Sequence, residues 1–451
     1  MSVLDEIVKA YDIRGTVPDQ LNGQVAHALG VAFAGFVDAD RVLVARDMRQ
    51  SGEALVAEFG RGVMEQGLDV VDLGLGSTDL LYYAAGSLDA PGAMFTASHN
   101  PAQYNGAKLC LSGARPVGID SGLAEIRDVA AGVLDGNGPR MAATAGALSS
   151  LDVLPAFVDH VLSFVDVDAL APMRVVADTA NGMGGLVVPA VFDRLPMIDL
   201  EVMYGELDGS FPNHPADPLQ PANQRDLCAR VSSGGFDVGL AFDGDADRVF
   251  VVDEQGVGMS GSTTTALLAA AVLRTNPGAT ILHNLICSRA VPETINEHGG
   301  VPIRTKVGHS FIKREMAATG AVFGGEHSAH YYFAANYRAD SGLIASLLML
   351  DELSRSGQAL SVLRKPFERY AASGEINTSV DRPTRIIEHV SETFGSRRQD
   401  RLDGLSVDCG SWWFNLRPSN TEPLLRLNLE ASDRDECDSR VAELLALITS
   451  A

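Results

Sequence analysis

"RVLVARDMRQSGEALVAEFGRGVMEQGLDVVDLG", residues 41–74, holds a β-branched run, a stretch of helical spacing that ends at Gly67, and a second apolar run. A strand, a helix and a strand in succession form the unit from which parallel sheets with helical faces are built. "GAMFTAS" (92–98) adds a further strand. The scheme returns with "RVVAD" (174–178), a glycine-rich turn, the apolar-periodic "LVVPAVFDRL", a proline-rich connection, a helix near "PANQRDLCARVSS" and the strand "DVGLAF". A third round runs "TTTALLAAAVLR", "ATILHNL", "RAVPETINEHG", "VPIRTKV", "SFIKREMAATG" and "AVFGGE". The end differs: a helix near "TRIIEHVSETF", two adjacent strands at "GLSVDCGSWWFNLRP" and "PLLRLNLEAS", and a final helix. The pattern predicts an α/β chain with mainly parallel sheets and a smaller C-terminal α+β unit. Boundaries are expected near 150, 256 and 368, giving 1–150, 151–256, 257–368 and 369–451.

Composition limits the function classes. At 451 residues the chain exceeds one compact core, and its 46% hydrophobic and 21% charged residues are those of a globular protein. A formal charge of −23 argues against a nucleic-acid surface, which needs clustered Lys and Arg, but leaves room for small anions held by local cations. The five cysteines are scattered without CxxC spacing, which fits free thiols in a reducing cytosol. No basic and apolar leader opens the chain and no apolar run reaches membrane length, so a cytoplasmic location without membrane contact is expected.

Four stretches carry chemistry. In "VGLAFDGDADRVFVV" (238–252), Asp243, Asp245 and Asp247 are separated only by Gly244 and Ala246, between two apolar strands. Three carboxylates so close need a compensating cation, and small spacers let all three face a hard one such as Mg²⁺. An EF-hand closing on Glu254 is the sharper rival, but Arg248 takes the position where that loop needs glycine. A solvated acidic turn is the plainer one. In "FTASHNPAQYNGAKL" (95–109), Ser98 stands at the mouth of a strand among chain-bending residues, as a reactive serine or as part of an ordinary surface turn. In "NLRPSNTEPLLRL" (415–427), Arg417 offers a planar fork and Ser419, Asn420 and Thr421 add short donors, suited to a phosphate dianion or to a plain polar hairpin. "VFGGEHSAHYYF" (322–333) sets Glu326 and Ser328 where they could bind sugar hydroxyls, with His327 and His330 as packed residues or ligands; "TKVGHS" (305–310) adds Lys306 and His309 at a glycine turn. "NGMGGLV" after "RVVAD" imitates a dinucleotide fingerprint, but Val187 stands at the third glycine position, so it reads as a tight strand-to-helix turn.

Taken in order, "YDIRG", "TASHNPAQYNGAKL", "DGDADR", "KVGHS", "GGEHSAH" and "RPSNTEP" resemble the α-D-phosphohexomutase superfamily, in its bacterial phosphomannomutase and phosphoglucomutase branch, over essentially the whole chain. The resemblance implies three similar α/β domains and a smaller fourth around a central cleft, bearing in turn the phosphoserine, the metal, the sugar site and the phosphate site. It implies that Ser98 is phosphorylated in the working enzyme, that His99, Arg14 and Lys108 line the phosphoryl site, and that Asp243, Asp245 and Asp247 hold Mg²⁺ with a phosphoserine oxygen beside Arg248. Glu326, Ser328 and His330 would contact the sugar. His309, or Lys306 near it, would assist proton transfer to and from the reacting hydroxyl, with Lys306 also among the substrate-binding residues, and Arg417, Ser419, Asn420 and Thr421 would grip the phosphate not being transferred. The activity implied is the interconversion of mannose 6-phosphate and mannose 1-phosphate by way of a 1,6-bisphosphate, with hexose 1,6-bisphosphate as activator. The expected assembly is a monomer or small homo-oligomer. Phosphoglucomutase or dual specificity is the alternative, with a metal-dependent phosphomonoesterase or a sugar-phosphate sensor behind it. Two departures stand out: Ala246 where the family's metal loop often has Gly, and "GEHSAH" where dual-specificity members carry "GEMSGH".

Overall fold

The computed structural model describes residues 2–418 and 424–450. The chain forms two compact units, Met1–Ser260 with Ser328–Leu363, and Gly261–His327 with Arg364–Ala451.

In the first unit, Arg41–Arg46 is the middle of a mixed sheet, parallel to Asp69–Leu75 on one side and to Gly92–Phe95 on the other. The chain then turns back as Tyr104–Leu111, antiparallel to both Gly92–Phe95 and Ile13–Thr16. Helices Gly23–Phe36 and Gly52–Glu65 contribute Phe33 and Phe59, which pack with Phe95 of the sheet; the Phe59 and Phe95 rings meet edge-on with centroids 5.3 Å apart. The two helices approach closely because each presents glycine at the crossing. A Cβ on Gly30 would lie 2.0 Å from the Phe59 carbonyl oxygen, and one on Gly62 would lie 2.3 Å from that of His27.

A second sheet in this unit is ordered Val249–Asp253, Val238–Phe242, Met173–Asp178, Ile198–Met203, with the first pair antiparallel and the rest parallel. Every residue of Val238–Phe242 and Val249–Asp253 is buried, which is why the sequence shows continuous apolar runs rather than alternation. Phe242 pairs with Val249, so the six residues between them close the hairpin. The strand flank excludes the EF-hand, and Glu254 accepts instead from the Ser361 hydroxyl at 2.5 Å.

The imitation fingerprint is a turn, as read, and it also props the hairpin loop: the Met183 N–H donates to the Gly244 carbonyl at 2.9 Å. A Cβ on Gly182 would come within 2.7 Å of that same oxygen. Beside it, Asp178 accepts from His214 Nε2 at 3.0 Å, tying residues 204–217 to the end of the strand. Burial works against a charged His214, but the hydrogen bond and charge of Asp178, with Asp226 also near, raise its pKa above the ordinary 6.5. A raised folded pKa gives stability that is full below the unfolded value and is lost as pH rises through the folded one. His214→Gln should therefore lower Tm more at about pH 6 than at about pH 9. A thermal-melt series in which the gap is equal at both ends would refute the charged pair.

In the second unit, Thr280–Asn284 is parallel to Val301–Thr305 and to Phe323–Gly325; helix Gly261–Thr275 precedes the three strands, and helices Ala290–Glu297 and His309–Thr319 lie between them in sequence. The C-terminal part is an antiparallel sheet ordered Ala371–Ser379, Leu424–Ala431, Trp412–Pro418, Leu405–Asp408, Arg398–Asp400. Helices Pro383–Thr393 and Arg434–Ser450 supply Ile386, Val390 and Leu444 to the core under Phe414, Leu416, Leu427 and Leu429.

This corrects the expectation of two adjacent strands. "GLSVDCGSWWFNLRP" is two strands, broken where Gly410 takes a left-handed φ of +90°. Ala371–Ser379 escaped notice because "AASGEINTS" has almost no apolar alternation. In the serine segment, "YNGAKL" lies wholly in the strand Tyr104–Leu111, buried along Asn105–Cys110, so its Tyr-Asn-Gly is strand and not a turn.

Candidate active site

The Ser98 loop leaves the strand Gly92–Phe95 and returns as Tyr104–Leu111. Ser98 itself is in the left-handed region, φ +49°, a conformation that costs a non-glycine residue and persists only where surroundings enforce it. Here Arg49 enforces it. All five of its guanidinium N–H groups are used: Nε to Asp47 at 3.1 Å, Nη1 to the carbonyls of Pro101 and Tyr104 at 2.8 Å each, and Nη2 to those of Ser98 and Asn100 at 2.8 and 2.6 Å. The Thr96 hydroxyl oxygen accepts from the Ser98 N–H at 2.8 Å.

The held hydroxyl faces the hairpin loop. Ser98 Oγ donates to Asp243 Oδ2 at 2.7 Å and accepts from Arg248 Nη2 at 3.2 Å. Arg248 Nε also donates to Asp243 at 2.9 Å, and its Nη2 to His99 Nδ1 at 2.6 Å. Burial, then the positive Arg248 and Arg14, push His99 well below the usual imidazole range. His99 is thus neutral, with Nδ1 as acceptor. Arg14 pairs with Asp12 and donates to Asn100 Oδ1 at 2.6 Å, on the loop's far shoulder.

Asp243, Asp245 and Asp247 each bring a carboxylate oxygen within 4.8 Å of the other two, and all three are buried. Lys108 Nζ donates to Asp245 Oδ2 at 2.7 Å and to Asp247 Oδ2 at 2.6 Å, and the Thr78 hydroxyl donates to Asp245 Oδ2 at 2.5 Å. Burial drives the Asp243 carboxyl far above its usual range, with the neighbouring carboxylates adding to this against Arg248. For Asp245, burial acts in the same direction but Lys108 and Thr78 outweigh it, and the group stays below that range. With all three carboxylates ionised, Lys108 and Arg248 would leave one negative charge uncompensated, and a bound cation would offset it and bring Asp243 back toward its charged form. Asp245 Oδ1 and Asp247 Oδ1 are buried without a hydrogen-bond partner, a state that is costly for an ionised oxygen. All-oxygen donors with two such orphans fit a hard divalent cation.

His330 stands beside this cluster, Nε2 3.7 Å from Asp247 Oδ1, while its Nδ1 lies 3.1 Å from Ser328 Oγ. In the second unit, Glu326 is buried and accepts from Asn284 Nδ2 at 3.1 Å and from the Gly308 N–H at 3.0 Å, which joins the "GGE" strand end to the "KVGHS" turn. His309 opens the next helix, and Lys306 is exposed, Nζ 5.7 Å from the Phe311 ring centre. Arg417 ends its strand buried, paired with Glu375 at 2.6 Å. Ser419, Asn420 and Thr421 lie outside the described residues.

Family models of the phosphoglucomutase/phosphomannomutase type match nearly the whole chain: alpha/beta/alpha domain I at residues 5–132, domain II at 155–256, domain III at 260–370 and the C-terminal domain at 375–447. The chain belongs to the phosphoglucomutase/phosphomannomutase family. It is 40% identical over 446 residues to a protein of Xanthomonas campestris pv. campestris named phosphohexose mutases, covering 98% of both chains. It is 37% identical to a phosphomannomutase of Escherichia coli K12, again covering 98% of each. A solved structure of a phosphoglucomutase/phosphomannomutase family protein from Burkholderia thailandensis superposes with a TM-score of 0.88 at 30% identity, covering 98% of each.

Sequence reasoning missed several residues of this family member's site. Arg49, Asp47, Thr78 and Asp79 lie in ordinary-looking helix-start segments, and no spacing marks them. Asp79 bonds the hydroxyls of Ser77 and Ser341 and is pushed up to about 7 by burial. Ser341 in turn caps the helix Gly342–Ser356, whose first glycine abuts the Arg248 backbone. Ala246 adopts φ +60°, the conformation for which glycine is suited.

The two loops touch at Gly244, where a Cβ would lie 2.5 Å from the Ser98 carbonyl oxygen. Gly244→Ala should therefore separate serine from carboxylates with little loss of fold, and kcat should fall by about tenfold to a hundredfold. Steady-state kinetics beside a melt would show it; an unchanged kcat would mean that the contact is slack.

Proposed function

We propose that this chain is a phosphohexomutase that interconverts mannose 6-phosphate and mannose 1-phosphate, with glucose phosphates as second substrates. The reading is carried by one observation, a buried serine hydroxyl held in a left-handed turn against three clustered carboxylates and an arginine. Phosphorylated Ser98 gives its phosphoryl group to the free hydroxyl of a hexose monophosphate. The P–Oγ bond breaks, a P–O bond to the sugar forms, and the sugar hydroxyl's proton leaves to a base. After the bisphosphate turns round, Ser98 takes the other phosphoryl group. Hexose 1,6-bisphosphate then serves as activator by loading Ser98.

Asp243, Asp245 and Asp247 would hold Mg²⁺, which supplies charge neutralisation to a transferring phosphoryl group when bound. Arg248 and Lys108 add fixed positive charge there, and Arg14 and His99 flank the phosphoryl site. Arg417, with Ser419, Asn420 and Thr421, would grip the spectator phosphate. Glu326, Ser328 and His330 would contact sugar hydroxyls. His309, or Lys306 near it, would carry the proton transfer. The four parts would divide at 150, 256 and 368. The setting would be the cytoplasm, as a monomer or small homo-oligomer, without nucleic-acid or membrane partners; the five free cysteines and the charge of −23 support this.

A coupled assay with trace bisphosphate decides it. Mannose 1-phosphate should give the highest kcat/KM against glucose 1-phosphate and glucosamine 1-phosphate, with almost no free phosphate released. Steady phosphate release would instead identify a phosphomonoesterase, and a glucose preference would reassign the substrate.

A further inference from the structure

Residues 208–217 follow the strand Ile198–Met203 and touch the supports of both loops that meet at Ser98. At one end, the chain passes over the segment that clamps the serine loop: a Cβ on Gly209 would lie 2.7 Å from Arg49 Cα and 3.0 Å from the Met48 carbonyl oxygen. At the other end, Ala216 is buried against the aspartate hairpin, 3.5 Å from where a Cβ on Gly244 would stand. Between these contacts the segment is tied to the turn after Met173–Asp178. The Asp208 N–H donates to the Asn181 carbonyl at 3.0 Å, Asn213 Nδ2 donates to Asn181 Oδ1 at 2.8 Å, and His214 bonds Asp178. Phe211 is the strained member. Its N–H donates to the Asp208 carbonyl at 3.0 Å, and its φ of +53° lies in a region that bulky side chains avoid. Glycine or asparagine would serve such a turn at less cost. What the conformation gains is the ring, which lies against the Arg49 guanidinium with Cζ 5.2 Å from the ring centre. The five N–H groups of Arg49 are all taken, so only the faces of the guanidinium remain, and a face is where an aromatic ring attracts it.

We infer that Phe211 is a positioning residue for phosphoryl transfer: through Arg49 it holds Ser98 at its distance from Asp243, and residues 208–217 are the bracket that keeps the two loops in register. The inference rests on the reading that Ser98 carries the phosphoryl group. Arg49 shapes the serine loop by gripping four main-chain carbonyls, and water reaching the guanidinium would compete for each of those bonds. The ring keeps that water off. The Arg49 side chain is wholly buried, while Phe211 is only half-buried and so forms the outer wall. A displacement of about 1 Å between reacting groups can cost about a hundredfold in rate, so a partial loosening of the clamp is enough to be seen in turnover. Phe211 acts on the loop and not on the sugar, so substrate affinity is left alone.

The test uses the full chain with Mg²⁺ and glucose 1,6-bisphosphate, in wild type, Phe211→Leu, Phe211→Asn, Phe211→Tyr and Ser98→Ala. Each is measured for kcat and KM with the two mannose phosphates, for the rate of Ser98 loading by intact mass, and for Tm. Phe211→Leu keeps apolar bulk but loses the aromatic face, so kcat should fall by about tenfold with both KM values within about twofold of wild type. Loading of Ser98 should slow by a similar factor. Phe211→Asn suits the left-handed turn and should melt no lower than wild type, yet lose turnover to the same degree. Slower turnover without a lower Tm is the signature that a merely structural role would not give. Phe211→Tyr, which restores the ring, should return kcat to within about twofold of wild type. Wild-type kcat and loading in Phe211→Leu, or losses that simply follow Tm across the series, would overturn the inference and leave transfer through Ser98 standing. A loss carried by KM would also overturn it, since Phe211 would then serve the substrate. Wild-type turnover in Ser98→Ala would remove the reading beneath it, whatever the Phe211 variants do.

Discussion

Ser98→Ala should lose mutase turnover by about a thousandfold or more while folding normally. No nearby side chain can take its place: Thr96 is committed to the Ser98 N–H, and Thr78 to Asp245. The loop should survive, because its shape comes from Arg49 bonding to main-chain carbonyls, which the substitution leaves in place. The bonds of Oγ to Asp243 and Arg248 disappear, with the longer one to His99 Nδ1. Intact-mass measurement after treatment with glucose 1,6-bisphosphate should add one phosphate to the wild type and nothing to the variant. A variant that still interconverts the two mannose phosphates at the normal rate would rule out transfer through Ser98.

The second large effect is expected at Asp245→Asn. The amide keeps the size of the side chain but removes one of three negative charges, and it turns an acceptor toward Lys108 into a group that can also donate. Of the two carboxylates that Lys108 bonds, only Asp247 then keeps its charge. An interaction that is stronger in the transition state than in the ground state shows in kcat rather than in KM. Turnover should fall by about a hundredfold or more, with KM for the sugar phosphate changed far less. Divalent-cation affinity, measured by titration calorimetry, should weaken in the same variant. Wild-type activity that survived exhaustive chelation would end the case for a metal at this cluster.

The layered α/β framework was readable because each helix or strand of the first three rounds carries its own periodicity and its own glycine or proline stop. The three aspartates were readable for a related reason: charges packed between two apolar strands are chemically conspicuous. The C-terminal sheet was harder, since Ala371–Ser379 alternates between small and polar residues that bury little, and its place is set by pairing with Leu424–Ala431 rather than by its own sequence. Arg49 was invisible for a different reason. Its partners are carbonyls some fifty residues away, and every residue type carries a carbonyl, so no motif records the bond. Lys108 was expected near phosphate, yet its placement against Asp245 and Asp247 depends on strand register. Tyr104–Leu111 pairs with two strands at once, and that sends Lys108 toward the hairpin loop.

The Arg49 clamp also bears on how this loop can change over time. A fastener that grips only main chain is blind to the side chains it holds. Positions such as Ala102 and Gln103, exposed between the gripped carbonyls, are therefore free to drift without unseating the serine. Shape and wording of the loop are uncoupled: the first is underwritten by a single buried arginine, and the second is left open to selection by whatever passes over the surface.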